Sequence, residues 1–185
     1  MSTMKFIAWQ DLDGNEIANA AYPPGLVFIK SQEVGTAVSS VTVTDAFSST
    51  FDNYKIVYHG GSGSGFGSLL MTLGSTTTDY YWGRYYVYYS GGSINSSGGS
   101  ADSSWSVGTI QDNPNLTMVS VDLFGPYLSV STMMQLNVRL SGLSGAAGGG
   151  GGFLNSTTSY TSFTLTASAN TMTGGTIRVY GYNNG

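Results

Sequence analysis

The chain contains no cysteine. That excludes a disulfide framework, a thiolate metal site and a cysteine nucleophile, and leaves the redox compartment open. Charge is scarce: only 9% of residues are Asp, Glu, Lys or Arg, against a usual ~25%. The six basic residues, Lys5, Lys30, Lys55, Arg84, Arg139 and Arg178, are scattered and form no stripe. Nucleic acid is therefore not an expected partner. No stretch approaches the ~18 apolar residues of a membrane span, so no membrane insertion is expected. The segment Met1–Ile17 lacks an apolar run long enough for a signal peptide. If the protein acts outside a cell, the expected route is inside an assembled particle released by lysis.

Histidine occurs once, as His59. A lone histidine needs correctly placed partners before it can serve a metal site or a Ser-His-Asp triad, and its position at a strand end beside Gly60-Gly61 reads as structural. The GxSxG elbow is missing. The run Gly61–Gly67 lacks both GxGxxG spacing and a GK[ST] ending, which makes it a hairpin loop rather than a phosphate cradle. The acidic cluster Asp11, Asp13 and Glu16 fails the calcium-loop spacing, because Gly14 follows Asp13 directly. Asp13-Gly14 is a turn signal instead. The carboxylates elsewhere are dispersed. No catalytic residue, cofactor or metal is expected, and the residue chemistry points to a non-enzymatic domain.

What the chain does have is glycine, hydroxyls and aromatics. Its 185 residues include 27 glycines and 13 tyrosines. Aromatic and β-branched residues at this density argue against disorder. A chain of this length suits one domain, able to bury about 70% of its extended surface. Period-two alternation recurs throughout and no segment shows a helical period. Strands are expected at Gly25–Glu33, Val38–Thr44, Tyr54–His59, Ser68–Leu73, Tyr80–Tyr89, Trp105–Ile110, Leu116–Phe124 and Met133–Leu140. Two more, Phe163–Ala167 and Thr176–Tyr182, are expected to form a closing hairpin turned by Gly174-Gly175. Phe163, Leu165, Ile177 and Val179 should face the core, and Phe47 and Phe51 should plug one end of it. Ser90–Ser104 reads as a long flexible loop. Gly142–Gly152 reads as a floppy tip or as close backbone packing at a symmetry axis. Nine or ten strands at this spacing predict an all-β fold, an antiparallel β-sandwich of jelly-roll-like type.

Tyr22-Pro23-Pro24 is a stiff breaker. It divides an N-terminal arm, residues 1–24, from the β-sandwich body, residues 25–185. Within the arm, Phe6, Ile7 and Trp9 are the expected docking anchors, acting by strand addition or apolar contact. Within the body, Tyr80, Tyr81, Trp82, Tyr85, Tyr86 and Tyr88 form the most aromatic segment. Two readings apply there: core plus subunit interface, or stacking on a sugar.

Four blocks carry a resemblance: GLVFIKSQEVGTAVSSVTVTDAFSSTFDNYKIVYHGG, LLMTLGSTTTDYYWG, SVDLFGPYLS and FLNSTTSYTSFTLTASANTMTGGTIRVYGYNNG. In this order they resemble virion structural proteins of tailed bacteriophages, especially marine cyanophages, where such a block forms the distal β-domain of tail-fibre-like or other appendage proteins. The resemblance runs from Gly25 to Gly185. It implies exposure on the exterior of the particle, contact with other virion proteins, self-association (a homo-oligomer, with a trimer favoured) and host surface glycan as a further partner. It implies no catalytic residue. A long fibre also has a shaft and an attachment domain. The short arm here makes a small tail appendage or a capsid decoration protein the expectation. A carbohydrate-binding module of a secreted protein is the alternative that rests on the β-domain and its aromatics alone.

Overall fold

The computed structural model describes residues 25–112, 117–140 and 145–183. The arm expectations fall outside the described residues: the anchors Phe6, Ile7 and Trp9, the acidic turn at Asp11–Glu16 and the Tyr22–Pro24 boundary.

The described residues form strands and connections, with no helix among them. The strands are β1 (Gly25–Glu33), β2 (Ser40–Val43), β3 (Asn53–His59), β4 (Ser62–Gly63), β5 (Gly67–Leu73), β6 (Tyr80–Tyr88) and β7 (Ile94–Asp102), followed by β8 (Trp105–Ile110), β9 (Met118–Phe124), β10 (Thr132–Leu140), β11 (Ala146–Leu154), β12 (Phe163–Ala167), β13 (Met172–Thr173) and β14 (Thr176–Asn183). An eight-stranded sheet has the order β1-β14-β3-β9-β10-β11-β6-β7. A four-stranded sheet, β2-β12-β5-β8, packs over its inner face, and β13 pairs with β4 at one side. Every strand pair is antiparallel. The fold is an antiparallel β-sandwich.

Alternation explains the core. Tyr54, Ile56 and Tyr58 of β3 point inward, as do Val119, Val121 and Leu123 of β9, and all six are fully buried. From the small sheet Leu69, Met71, Leu73, Phe163, Leu165 and Trp105 meet them. Burying each aliphatic or aromatic side chain of this size is worth roughly 1.5–3 kcal/mol. Phe163, Leu165, Ile177 and Val179 are all buried, as their alternation predicts. Phe47 lies 4.8 Å from Tyr54 and 5.8 Å from Phe163 between ring centroids, and Phe51 lies 6.2 Å from Tyr54. The two phenylalanines cap the core through these rings.

Three expectations are corrected. The last two strands do not form a hairpin. β12 pairs with β2 and β5, whereas β14 pairs with β1 and β3 in the other sheet. The connection 168–175 is too long for a tight turn and carries the chain across the sandwich. Gly174 (φ 68°) and Gly175 (φ 81°) do turn it. A Cβ on Gly175 would meet the Gly61 nitrogen at 2.5 Å, so the glycine is required for close approach as well as for its positive φ.

The Ser90–Ser104 segment is not a loop. Its Ile94–Asp102 part is β7, paired along β6. Nor is the described part of the glycine run a floppy tip. Ala146–Leu154 is β11, paired on both sides, with β10 and with β6. Ladder hydrogen bonds to two neighbours hold this strand where intrinsic β-propensity is low.

Candidate functional site

The aromatic strand β6 divides its side chains among three environments. Tyr80 is fully buried. Its hydroxyl accepts from the Leu73 amide at 2.8 Å and donates to the Thr76 carbonyl at 3.0 Å, and its ring meets Trp105 edge-on at 5.0 Å. It is a core residue, which corrects its reading as a surface or interface aromatic. Burial pushes its phenol up to about 12.

Trp82, Arg84, Tyr86 and Tyr88 follow on the same side of the strand. The Trp82 indole donates to Asp102 Oδ2 at 2.8 Å. The Arg84 guanidinium lies 5.4 Å from the centre of the Trp82 ring and donates to the hydroxyls of Ser97 at 2.8 Å and Ser106 at 3.1 Å. Burial of that guanidinium lowers its pKa. Tyr86 and Tyr88 meet edge to face at 5.5 Å. Tyr81 and Tyr85 point the other way, onto the outer face of the large sheet. Tyr81 stacks on Phe153 at 4.8 Å and 3°. Of the six candidate aromatics, only Tyr85 and Tyr88 are exposed. They are three positions apart and so lie on opposite faces of β6. They do not make one stacking platform.

The outer face holds a feature that none of the candidate residues fully marks. Strand register places Tyr81 opposite Phe153, Phe153 opposite Met133, and Met133 opposite Phe124. At the far edge of the same sheet Leu26 lies opposite Tyr182. Met133 is 60% exposed, Leu26 48%, Phe153 40% and Phe124 39%. Leu128 and Val130, in the connection after β9, are also exposed. An apolar row therefore runs over β6, β11, β10 and β9 near one end of the sandwich, and Asn53 of β3 separates it from the Leu26–Tyr182 pair. The next row inward is polar at its centre, where Lys55 Nζ binds Asp122 Oδ1 at 3.0 Å and the Tyr182 hydroxyl donates to the same carboxylate oxygen at 2.5 Å, and it ends in the Tyr180–Phe28 ring pair.

The sequence does carry a signal for this row. On β9, Val119, Val121 and Leu123 set the inward phase, which makes Phe124 an apolar residue in an outward position. Met133 beside Met134, and Phe153 beside Leu154, break phase in the same way.

The opposite side of the sandwich has different chemistry. Thr42, Thr164 and Thr72 align across β2, β12 and β5, with the Thr42 and Thr164 hydroxyls 2.9 Å apart. A groove of 190 Å³ beside them is lined by Leu70, Thr72, Thr77, Ser103, Ser104 and Thr166. The molecule thus has one sheet face with an apolar row and one hydroxyl-rich sheet face.

His59 is exposed at the end of β3, opposite Met118 and Thr176. Among the described residues, no three His, Asp or Glu side chains gather as a metal site would need. No protein-family model, curated protein or solved structure matches the chain.

Proposed function

We propose that the chain is a non-enzymatic structural protein of a phage virion. On this reading it is a surface-exposed tail appendage domain of the fibre type, fixed to other virion proteins on the exterior of the particle. The observation that carries the reading is the apolar row Tyr81–Phe153–Met133–Phe124 on the outer face of the large sheet, exposed at Phe153, Met133 and Phe124. A face of this kind docks on a flat, uncharged protein surface, with the polar row at Lys55 and Asp122 as its rim. The resemblance of the body to phage appendage domains supplies the class of partner. The hydroxyl-rich small sheet then faces solvent. Self-association and host-glycan contact belong to the same reading, because many weak contacts on one particle reinforce one another.

A cryo-EM map of the intact particle tests this. The β-sandwich should appear on the exterior, with the apolar row against a neighbouring protein. A few or a few dozen copies correspond to a tail appendage. Hundreds of copies in a lattice make it a capsid decoration protein, the second reading within the class. A particle without this domain refutes both.

A further inference from the structure

A sheet edge is a row of unpaired backbone donors and acceptors, and β-proteins protect such edges with charge, proline, bulges, brevity or cover. The edges of this sandwich are protected unequally. β1 carries Lys30 and Glu33 and is broken by a register shift between Phe28 and Lys30. β2 is four residues long. β8 is buried at every position. β7 ends the large sheet on the other side and is nine residues long, INSSGGSAD. It has no Lys, Arg, Glu or Pro. Its single charge, Asp102, sits at the strand end and accepts from the Trp82 indole. Its register shift lies opposite Tyr80–Trp82, so Ile94–Gly99 run in unbroken register with Val87–Trp82. That leaves about 20 Å of open ladder.

The surface beside this ladder is apolar. Ile94 is 76% exposed and lies opposite Val87, while Ser96 lies opposite the exposed Tyr85. Tyr89, just past β6, is 56% exposed. Among the described residues nothing pairs with the free edge of β7.

We infer that this edge pairs with the β7 edge of a second copy of the chain, antiparallel and about a twofold axis, joining two large sheets into one. The strand is self-complementary in charge and in size. Centred on Ser96, the pairing sets Ser96 against Ser96, Asn95 against Ser97 and Ile94 against Gly98, so that opposed side chains share a face. Gly98 leaves room for the Ile94 side chain of the second copy. No like charges meet: the two Asp102 carboxylates end about 40 Å apart along the strands, beyond the roughly 8–10 Å over which exposed charges interact at ordinary salt. A contact of one strand plus its flanking side chains lies at the small end of specific interfaces, so the dimer is weak and concentration-dependent in solution. The contact is isologous and closes on itself. It uses a different surface from the apolar row and does not depend on the virion reading.

Sedimentation velocity on the full chain over a wide concentration series, with hydrogen exchange along the same series, tests the inference. A monomer–dimer equilibrium is expected. The amides of Ile94–Gly99 should slow by about tenfold or more as the dimer fills, while β1 amides stay unchanged. Ser96→Lys should weaken dimerisation at least tenfold and leave the thermal unfolding midpoint unchanged. Met133→Glu, in the apolar row, should leave dimerisation intact. A chain that stays monomeric at every concentration overturns the inference. So does a dimer or trimer whose β7 exchange does not change, or one that Ser96→Lys leaves as strong as before. The exchange measurement needs only the unmodified chain and decides the matter even if a variant fails to fold.

Discussion

The Tyr81 and Phe153 rings stack face to face on the outer surface of the large sheet, 4.8 Å between centroids and 3° from parallel. They are directly opposed across β6 and β11, and they begin the apolar row that continues through Met133 and Phe124. A double-mutant cycle of Tyr81→Ala and Phe153→Ala should return a coupling of about 0.5–1.5 kcal/mol in urea denaturation, the range of cross-strand aromatic pairs. Met133→Glu should leave unfolding within about 0.5 kcal/mol of the parent, since its side chain is solvent-exposed. The same change should reduce the amount of protein recovered on particles, measured by quantitative immunoblot.

The glycines of β11 are not equivalent. A Cβ on Gly150 would meet the Gly83 carbonyl oxygen at 2.5 Å and Arg84 Cα at 2.9 Å, both backbone atoms of β6. On Gly149 its tightest contact would be the Tyr85 hydroxyl at 3.3 Å, the free end of an exposed side chain, with the Leu136 carbonyl oxygen at an ordinary 3.7 Å. Gly150→Ala should therefore destabilise by about 1–3 kcal/mol, the usual cost of overpacking. Gly149→Ala should stay within about 0.5 kcal/mol. Chemical denaturation of the two variants side by side checks the contrast.

Two tyrosines five positions apart in one strand should behave differently. Tyr80→Phe leaves the buried Leu73 amide and the Thr76 carbonyl without their partner. A loss of about 1–3 kcal/mol is expected, the desolvation cost of unpaired groups. Tyr85→Phe removes an exposed hydroxyl and should change stability by less than about 0.5 kcal/mol. Thermal unfolding of both variants reads the difference.

Alkaline pH should unfold the protein through its buried phenols. Burial pushes Tyr58 and Tyr80 up to about 12. Tyr182 also reaches about 12, from burial first and then from its hydrogen bond to Asp122. Below the ordinary phenol value of about 10 both the folded and unfolded chains hold these protons, and stability is intact. As pH rises from about 10 through about 12 the unfolded chain gains by ionising and stability falls. The urea midpoint, followed across that window, should drop steadily. Tyr58→Phe should make the drop shallower.

Much of the fold was legible because the core strands alternate. Tyr-x-Ile-x-Tyr in β3 and Phe-x-Leu in β12 fix which face is buried. β7 and β11 escaped because serine and glycine carry no inward or outward pattern. Their strands are defined by the neighbours that pair with them, and pairing is a long-range property. The same limit explains β12 and β14: alternation identifies a strand but not the sheet it joins. At the surface, the clustering of aromatics in β6 drew the reading toward Tyr80–Tyr88. The apolar row is spread over distant segments, one residue per strand, and only the register brings Tyr81, Phe153, Met133 and Phe124 together.

The central claim is that the chain is a component of a phage particle. Quantitative mass spectrometry on gradient-purified particles, from a lysate in which the gene is expressed, tests it most directly. On the virion reading, peptides of this chain should band with the particles at a fixed ratio to the major capsid protein and withstand a high-salt wash, as an apolar contact would. Peptides abundant in the lysate but missing from the particle band would contradict it.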